Sequence, residues 1–91
     1  MTGIELIAAE RKRQIEEEGF TAEYDDCWDQ GQMVRAAMCY CMEPGDKDEM
    51  PDEWPWPPVW WKPSPDNRIH ELKKAGALIA AEIDRLLRVK V

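Results

Sequence analysis

The chain has little of what most enzyme chemistries require. It holds one histidine, His70, and no Gly-x-Ser-x-Gly turn, so a nucleophilic triad has no parts to be built from. No glycine-rich phosphate loop occurs. The three cysteines, an isolated Cys27 and the Cys39-Tyr-Cys41 pair, match no zinc spacing. An odd count argues against a disulfide framework, and two positions apart on one helix Cys39 and Cys41 do not pair; both point to a reduced, cytoplasmic protein. No apolar run approaches the ~18 residues that span a bilayer, and no charged-then-apolar leader is read, so no membrane partner is expected. Basic groups are scarce, twelve against nineteen acidic for a net charge of −7, which excludes general nucleic-acid binding by a basic stripe. There are no internal repeats.

What is present fits one domain over residues 1–91. A chain of this length buries only about 60–65% of its unfolded surface, so self-association is an expected supplement to a thin stability margin. The charge is polarised. Residues 1–32 hold three basic and nine acidic groups, residues 33–67 three and seven, and residues 68–91 six and three. An acidic front and a basic rear can attract each other, within a chain or between chains, or can simply be solvated.

The patterning predicts an all-α domain of three helices. The first runs over about 3–18: Thr2 and Glu5 form a capping box, Ile4, Ile7, Ala8 and Ile15 share a stripe, and Gly19 stops the helix. Arg11 and Glu18 lie on the same stripe, two charges on an apolar face. A polar connector with aromatic anchors follows over 21–29. Asp29 is placed to cap a second helix over about 30–42, with Met33, Val34, Ala37, Tyr40 and Cys41 facing the core, Arg35 pointing away, and Ala36 and Ala37 permitting close packing.

Residues 43–64 change character. Nearly all the prolines lie there, the seventh being Pro65, together with Trp54, Trp56, Trp60 and Trp61. Proline at this density forbids helix and inner strand, while the tryptophans argue against a solvated linker. The expectation is an ordered loop packed across the helices, with a mobile acidic first half over Glu43–Met50. Ser64 and Pro65 then open a third helix over about 65–88. Its Ile69, Leu72, Gly76, Ile79, Ile83 and Leu86 are spaced 3, 4, 3, 4, 3, a heptad seam. Gly76 costs about 1 kcal/mol there relative to alanine, which predicts close approach of another backbone. Leu78, Ala80 and Leu87 widen the apolar surface beyond one seam, implying one packing partner within the chain and one from a second copy: a homo-oligomer through this helix.

Two constellations can carry chemistry. Oxygen-only carboxylate clusters suit Mg²⁺, and Glu18, Asp25, Asp26 and Glu82 are the candidates. By helical-wheel arithmetic Arg11, Glu18, Arg68 and Glu82 meet in a partly buried cluster, either as ion-holding machinery or as a structural ion-pair network. The second constellation is the tryptophan loop. Trp54, Trp56, Trp60 and Trp61 offer rigid faces for a nucleobase, with Lys62, Arg11 and Arg68 for phosphate. The competing reading makes the loop a core lid, with one or two rings left at a pocket mouth. Cys27, Cys39 and Cys41 read as core residues and His70 as a surface residue.

The string Ile7-Ala-Ala-Glu-Arg-Lys-Arg-Gln-Ile-Glu-Glu-Glu-Gly-Phe-Thr21 resembles the opening of small proteins encoded by tailed phages and prophages. So do Glu23-Tyr-Asp-Asp26, the Gly31–Tyr40 helix, Trp54-Pro-Trp56, Trp60-Trp-Lys-Pro63 and the run Lys74 to Arg85. Some of those proteins look like MazG-type nucleotide pyrophosphohydrolases and phage dATP/dGTP diphosphohydrolases. The resemblance implies an all-α oligomer, in the cytoplasm of an infected bacterial host, that binds a nucleotide through Mg²⁺. The MazG pattern sets Glu-Glu-x-x-Glu on one helix and Glu-x-x-Asp on the next. Here Glu23-x-x-Asp26 matches the second pattern, and Thr21 stands where the first needs a third glutamate. The expected function is a nucleotide-binding phage accessory protein, either a pyrophosphohydrolase relative with a degenerate metal site or a non-catalytic sponge for a host nucleotide immune signal. A protein–protein adaptor that inhibits a host factor is the remaining alternative.

Overall fold

Thr2 accepts the Glu5 amide hydrogen at 3.2 Å while the Glu5 carboxylate accepts the Thr2 amide at 2.8 Å, so the capping box closes and starts helix α1, Gly3–Glu18. Gly19, with φ 74°, stops it, and its N–H bonds back to the Gln14 carbonyl. The computed structural model describes residues 1–42 and 50–89. In it α1 is followed by α2 (Ala22–Asp25), α3 (Gln32–Cys41), a 3₁₀ turn (Pro58–Trp60) and α4 (Arg68–Arg88). The described residues are all-helical and contain no strand, and no helix among them is long and apolar enough to cross a membrane. The expected acidic, mobile segment over 43–49 lies outside the described residues.

The described residues therefore form four α-helices where the sequence reading expected three. The stretch read as a connector contains a helical turn of its own, because Thr21 caps it by accepting the Tyr24 amide at 3.4 Å. Two other caps differ from expectation. Asp29 does not open α3; Gly31 stands at that cap, and the Gln32 side chain accepts the Gln30 amide at 2.7 Å. Ser64 and Pro65 do not open α4; Asn67 does, by accepting the His70 amide at 3.1 Å.

Helix α4 is the central element, with α1 and α3 packed along it. Its core-facing row is Glu71, Ala75, Leu78, Glu82 and Arg85, all buried. The expected seam is not that row. Ile69, Leu72, Ile79, Ile83 and Leu86 remain 44–64% exposed, so the apolar heptad row turns outward and a row with three charged residues turns in. Hydrogen bonding makes this inversion tolerable. Glu82 and Arg85 pair with each other at 2.6 and 3.2 Å. Glu71 accepts the Ser64 amide at 3.1 Å and lies 3.5 Å from Arg68. Arg68 in turn donates to the last carbonyls of α3, at 3.2 Å to Tyr40, 2.6 Å to Cys41 and 2.7 Å to Met42. That guanidinium satisfies the open end of α3 and places a cation at its negative pole.

The stripe expected on α1 is likewise corrected: Ile4, Ala8 and Ile15 are exposed, and the buried residues of α1 are Glu10 and Gln14. Gly76 is approached not by another backbone, as expected, but by a side chain of the same chain. A Cβ there would stand 2.6 Å from the Ile7 side chain, so the glycine lets α1 settle against α4. On α3, Met33, Ala36, Ala37 and Tyr40 face the core as expected, whereas Val34 and Cys41 do not. Cys27 is also exposed, leaving Cys39 as the core cysteine; all three are thiols.

Candidate functional site: an aromatic-walled cavity with three cations

The tryptophan loop packs by its rings. Trp54 is buried against Tyr40, with centroids 5.5 Å apart and the planes nearly perpendicular, and Trp61 stacks on Tyr40 at 5.1 Å. The Trp54 indole N–H donates to the Pro57 carbonyl at 3.3 Å, which holds the Pro-rich turn against the helices. Trp28, from the chain before α3, meets Trp56 edge-on at 5.5 Å and Trp60 at 6.2 Å. Tyr24 adds to Trp28 at 5.7 Å and stacks on Phe20 at 5.0 Å. Edge-on and offset pairs of this kind each add about 0.5–1.5 kcal/mol beyond their area. The result is a continuous aromatic chain from α2 to α3.

A cavity of about 380 Å³ opens between this chain and the helices, within the range of small-molecule sites. Trp54, Trp56, Trp60, Phe20, Tyr24 and Tyr40 form its walls. Helix α1 contributes Glu10, Arg13, Gln14 and Glu18, α4 contributes Lys74 and Leu78, and the loop adds Lys62. In a chain of net charge −7, three cations against two carboxylates leave the lining of this cavity with one positive charge in excess.

The polar groups are positioned by one another. Arg13 grips Glu10 through two hydrogen bonds, 2.9 and 2.8 Å, and lies 3.5 Å from Glu18. Burial pushes the Glu10 carboxyl upward, but the Arg13 bonds outweigh it and hold the group below its ordinary value. The Gln14 amide nitrogen donates to Glu10 at 3.4 Å, which fixes the amide's orientation. Its Oε1 is buried with no hydrogen-bond partner among the described residues, and so is the indole N–H of Trp56. Lys74 donates to the Lys62 carbonyl at 2.8 Å and sits 5.3 Å over the Tyr40 ring. Burial, reinforced by neighbouring cations, lowers its pKa below the lysine value of 10.5.

Of the residues expected to bind ligand, the cavity gathers Trp54, Trp56, Trp60 and Lys62. Trp61 stays behind the wall on Tyr40. Arg11 is elsewhere, pairing with Asp25 at 2.8 Å, and Arg68 is committed to the end of α3. The reading that Arg11, Glu18, Arg68 and Glu82 converge is therefore wrong. The four carboxylates proposed for Mg²⁺ are also apart: Glu18 lies by Arg13, Asp25 by Arg11, Asp26 by Arg88 at 2.7 Å, and Glu82 by Arg85. Among the described residues no three acidic, histidine or cysteine side chains form a metal-binding group. Asp25 is buried deeply enough that its carboxyl is raised above the ordinary value despite Arg11.

Sequence reasoning missed Gln14, Arg13 and Lys74. Arg13 and Gln14 are not among the residues assigned to the stripe of the first helix, and Lys74 lies off the seam; only the docking of the loop makes them one site. Comparison with known proteins gives no match to a family model, a curated protein or a solved structure.

Proposed function

We propose that this chain is a nucleotide-binding accessory protein of a phage, working as a homo-oligomer in the cytoplasm of an infected bacterium, and that it holds its ligand without turning it over. The observation that carries this reading is the cavity itself: ring faces for a base, with Lys74 and Lys62 for phosphate. Sequestration is favoured over pyrophosphohydrolysis because each carboxylate a metal mechanism would draw on is already beside its own arginine.

The test mixes the protein with a panel of nucleoside triphosphates and cyclic nucleotides plus Mg²⁺, ultrafilters, and analyses the filtrate by LC–MS before and after heating. A nucleotide that disappears and returns intact on heating is the expected result. One that becomes a new product establishes catalysis instead, and an unchanged panel moves the adaptor reading to the front. Trp60→Ala, at an exposed wall ring, should then weaken binding about 5- to 150-fold, as loss of one stacking face worth about 1–3 kcal/mol predicts. Circular dichroism should show the helices intact; unchanged affinity would remove Trp60 from the site.

A further inference from the structure

The least explained feature is the outward row of α4. At 100° per residue, Leu86, Ile79, Leu72, Ile83, Ile69, Leu87 and Ala80 follow one another around an arc of about 120°, no charged side chain interrupts them, and Gly76 within the arc is covered by Ile7 of α1. Arg68 marks one edge and Lys73 the other. Ile69 is 64% exposed and Leu87 60%. The row continues into an apolar groove of about 230 Å³ where Leu6 and Ile7 of α1 meet Ile69 and Leu72. The molecule is flat, 42 × 32 × 21 Å, a layer of helices with the aromatic loop on one side. Lys74 and Leu78, which enter the cavity, leave α4 on the side opposite this row.

We propose that a second copy of this chain covers the row, its α4 packing antiparallel on the first about a two-fold axis near Ile79. The 3–4 spacing is the pattern of a helix that packs along a like helix, and 21 residues give about 31 Å of it. Charge selects the orientation. Parallel packing sets Arg68 of one copy beside Lys73 of the other, five residues on, the position where edge charges meet in such a pair. Antiparallel packing brings Lys73 level with Asp84 of the second copy, twice by symmetry, and aligns the helix dipoles favourably. The two cavities then face outward, one per protomer, and the assembly stands whether or not they take a nucleotide.

Sedimentation equilibrium tests this. The full chain at tens of micromolar should weigh twice its 10.6 kDa. Ile79→Lys should weigh a single chain with its helix signal retained, since that side chain is 44% exposed in the protomer. Mixing it with Ile79→Glu should restore the double mass. If either variant loses its helices alone, recovery of both helix and mass on mixing supports the pairing, and no recovery overturns it. Lys73→Glu should raise the dimer Kd about tenfold, by setting two acidic pairs at the axis flanks, and adding Asp84→Lys should reverse that. Tighter association of Lys73→Glu would overturn the antiparallel orientation, and a wild type of single-chain mass would overturn the dimer.

Discussion

Lys74 concentrates the chemistry of the cavity in one side chain. Its ammonium is partly desolvated, carries a cation–π contact to Tyr40, and spends one hydrogen bond on the Lys62 carbonyl. Burial of a cation favours its neutral form, and this is why its pKa falls below 10.5. The consequence for an anionic ligand has a definite sign. The charged form binds, the neutral form does not, so affinity declines as pH rises through the lowered value, earlier than an ordinary lysine would allow. Tyrosine ionisation does not compete there, since burial raises Tyr24 above its ordinary value and pushes Tyr40 up to about 12. Titrating affinity by tryptophan fluorescence from neutral to alkaline pH should show the decline in the wild type. In Lys74→Arg, whose cation does not deprotonate in this range, the profile should be flat. An alkaline decline of equal size in that variant would assign the effect to another group.

At the scale of the element, α4 buries Ala75, Ala77, Leu78 and Ala81 together with three charged residues, while its row of large aliphatic side chains stays exposed. Its inward row tolerates Glu71, Glu82 and Arg85 because each is hydrogen-bonded. Arg68 ties two helices together by closing the carbonyl end of α3 from the first turn of α4. Removing it leaves those carbonyls to water and deprives the fully buried Glu71 of its adjacent cation. Arg68→Ala should therefore lower unfolding free energy by about 2–3 kcal/mol, the scale of a few charge-assisted bonds at a partly exposed site, measured by urea denaturation. Arg68→Lys should recover only part of it, because one ammonium cannot match the planar fork across three carbonyls. A change below about 0.5 kcal/mol would show that α3 ends as firmly without it.

For the whole molecule the relevant facts are small size and flatness. A thin layer gives each helix fewer neighbours than a bundle does, and a chain of 91 residues has little stability in reserve. If a second copy covers the bare row, folding and association are linked, and stability must depend on protein concentration. The melting temperature should rise over a hundredfold increase in concentration for the wild type. For Ile79→Lys it should not move. Equal, concentration-independent melting of both would separate folding from association.

Local chemistry was legible in the sequence. The Thr2–Glu5 box, the Gly19 stop, the all-α class and the approximate spans of the long helices depend on near neighbours along the chain, and patterning reads near neighbours well. The Pro-rich segment also announced an aromatic loop, and four of its expected ligand-facing residues, Trp54, Trp56, Trp60 and Lys62, do line the cavity. Other features were decided only by tertiary structure, for a common reason. Which face of a helix turns inward depends on what lies across from it, and the apolar row of α4 is not the row that α3 and the tryptophans meet. Periodicity identifies a face that wants covering; it does not say whether the same chain covers it. The partners of charged residues are likewise set by distances between elements. Arg11 and Asp25, Arg68 and the end of α3, and Lys74 and the Lys62 carbonyl come from separate segments that only the folded chain brings together.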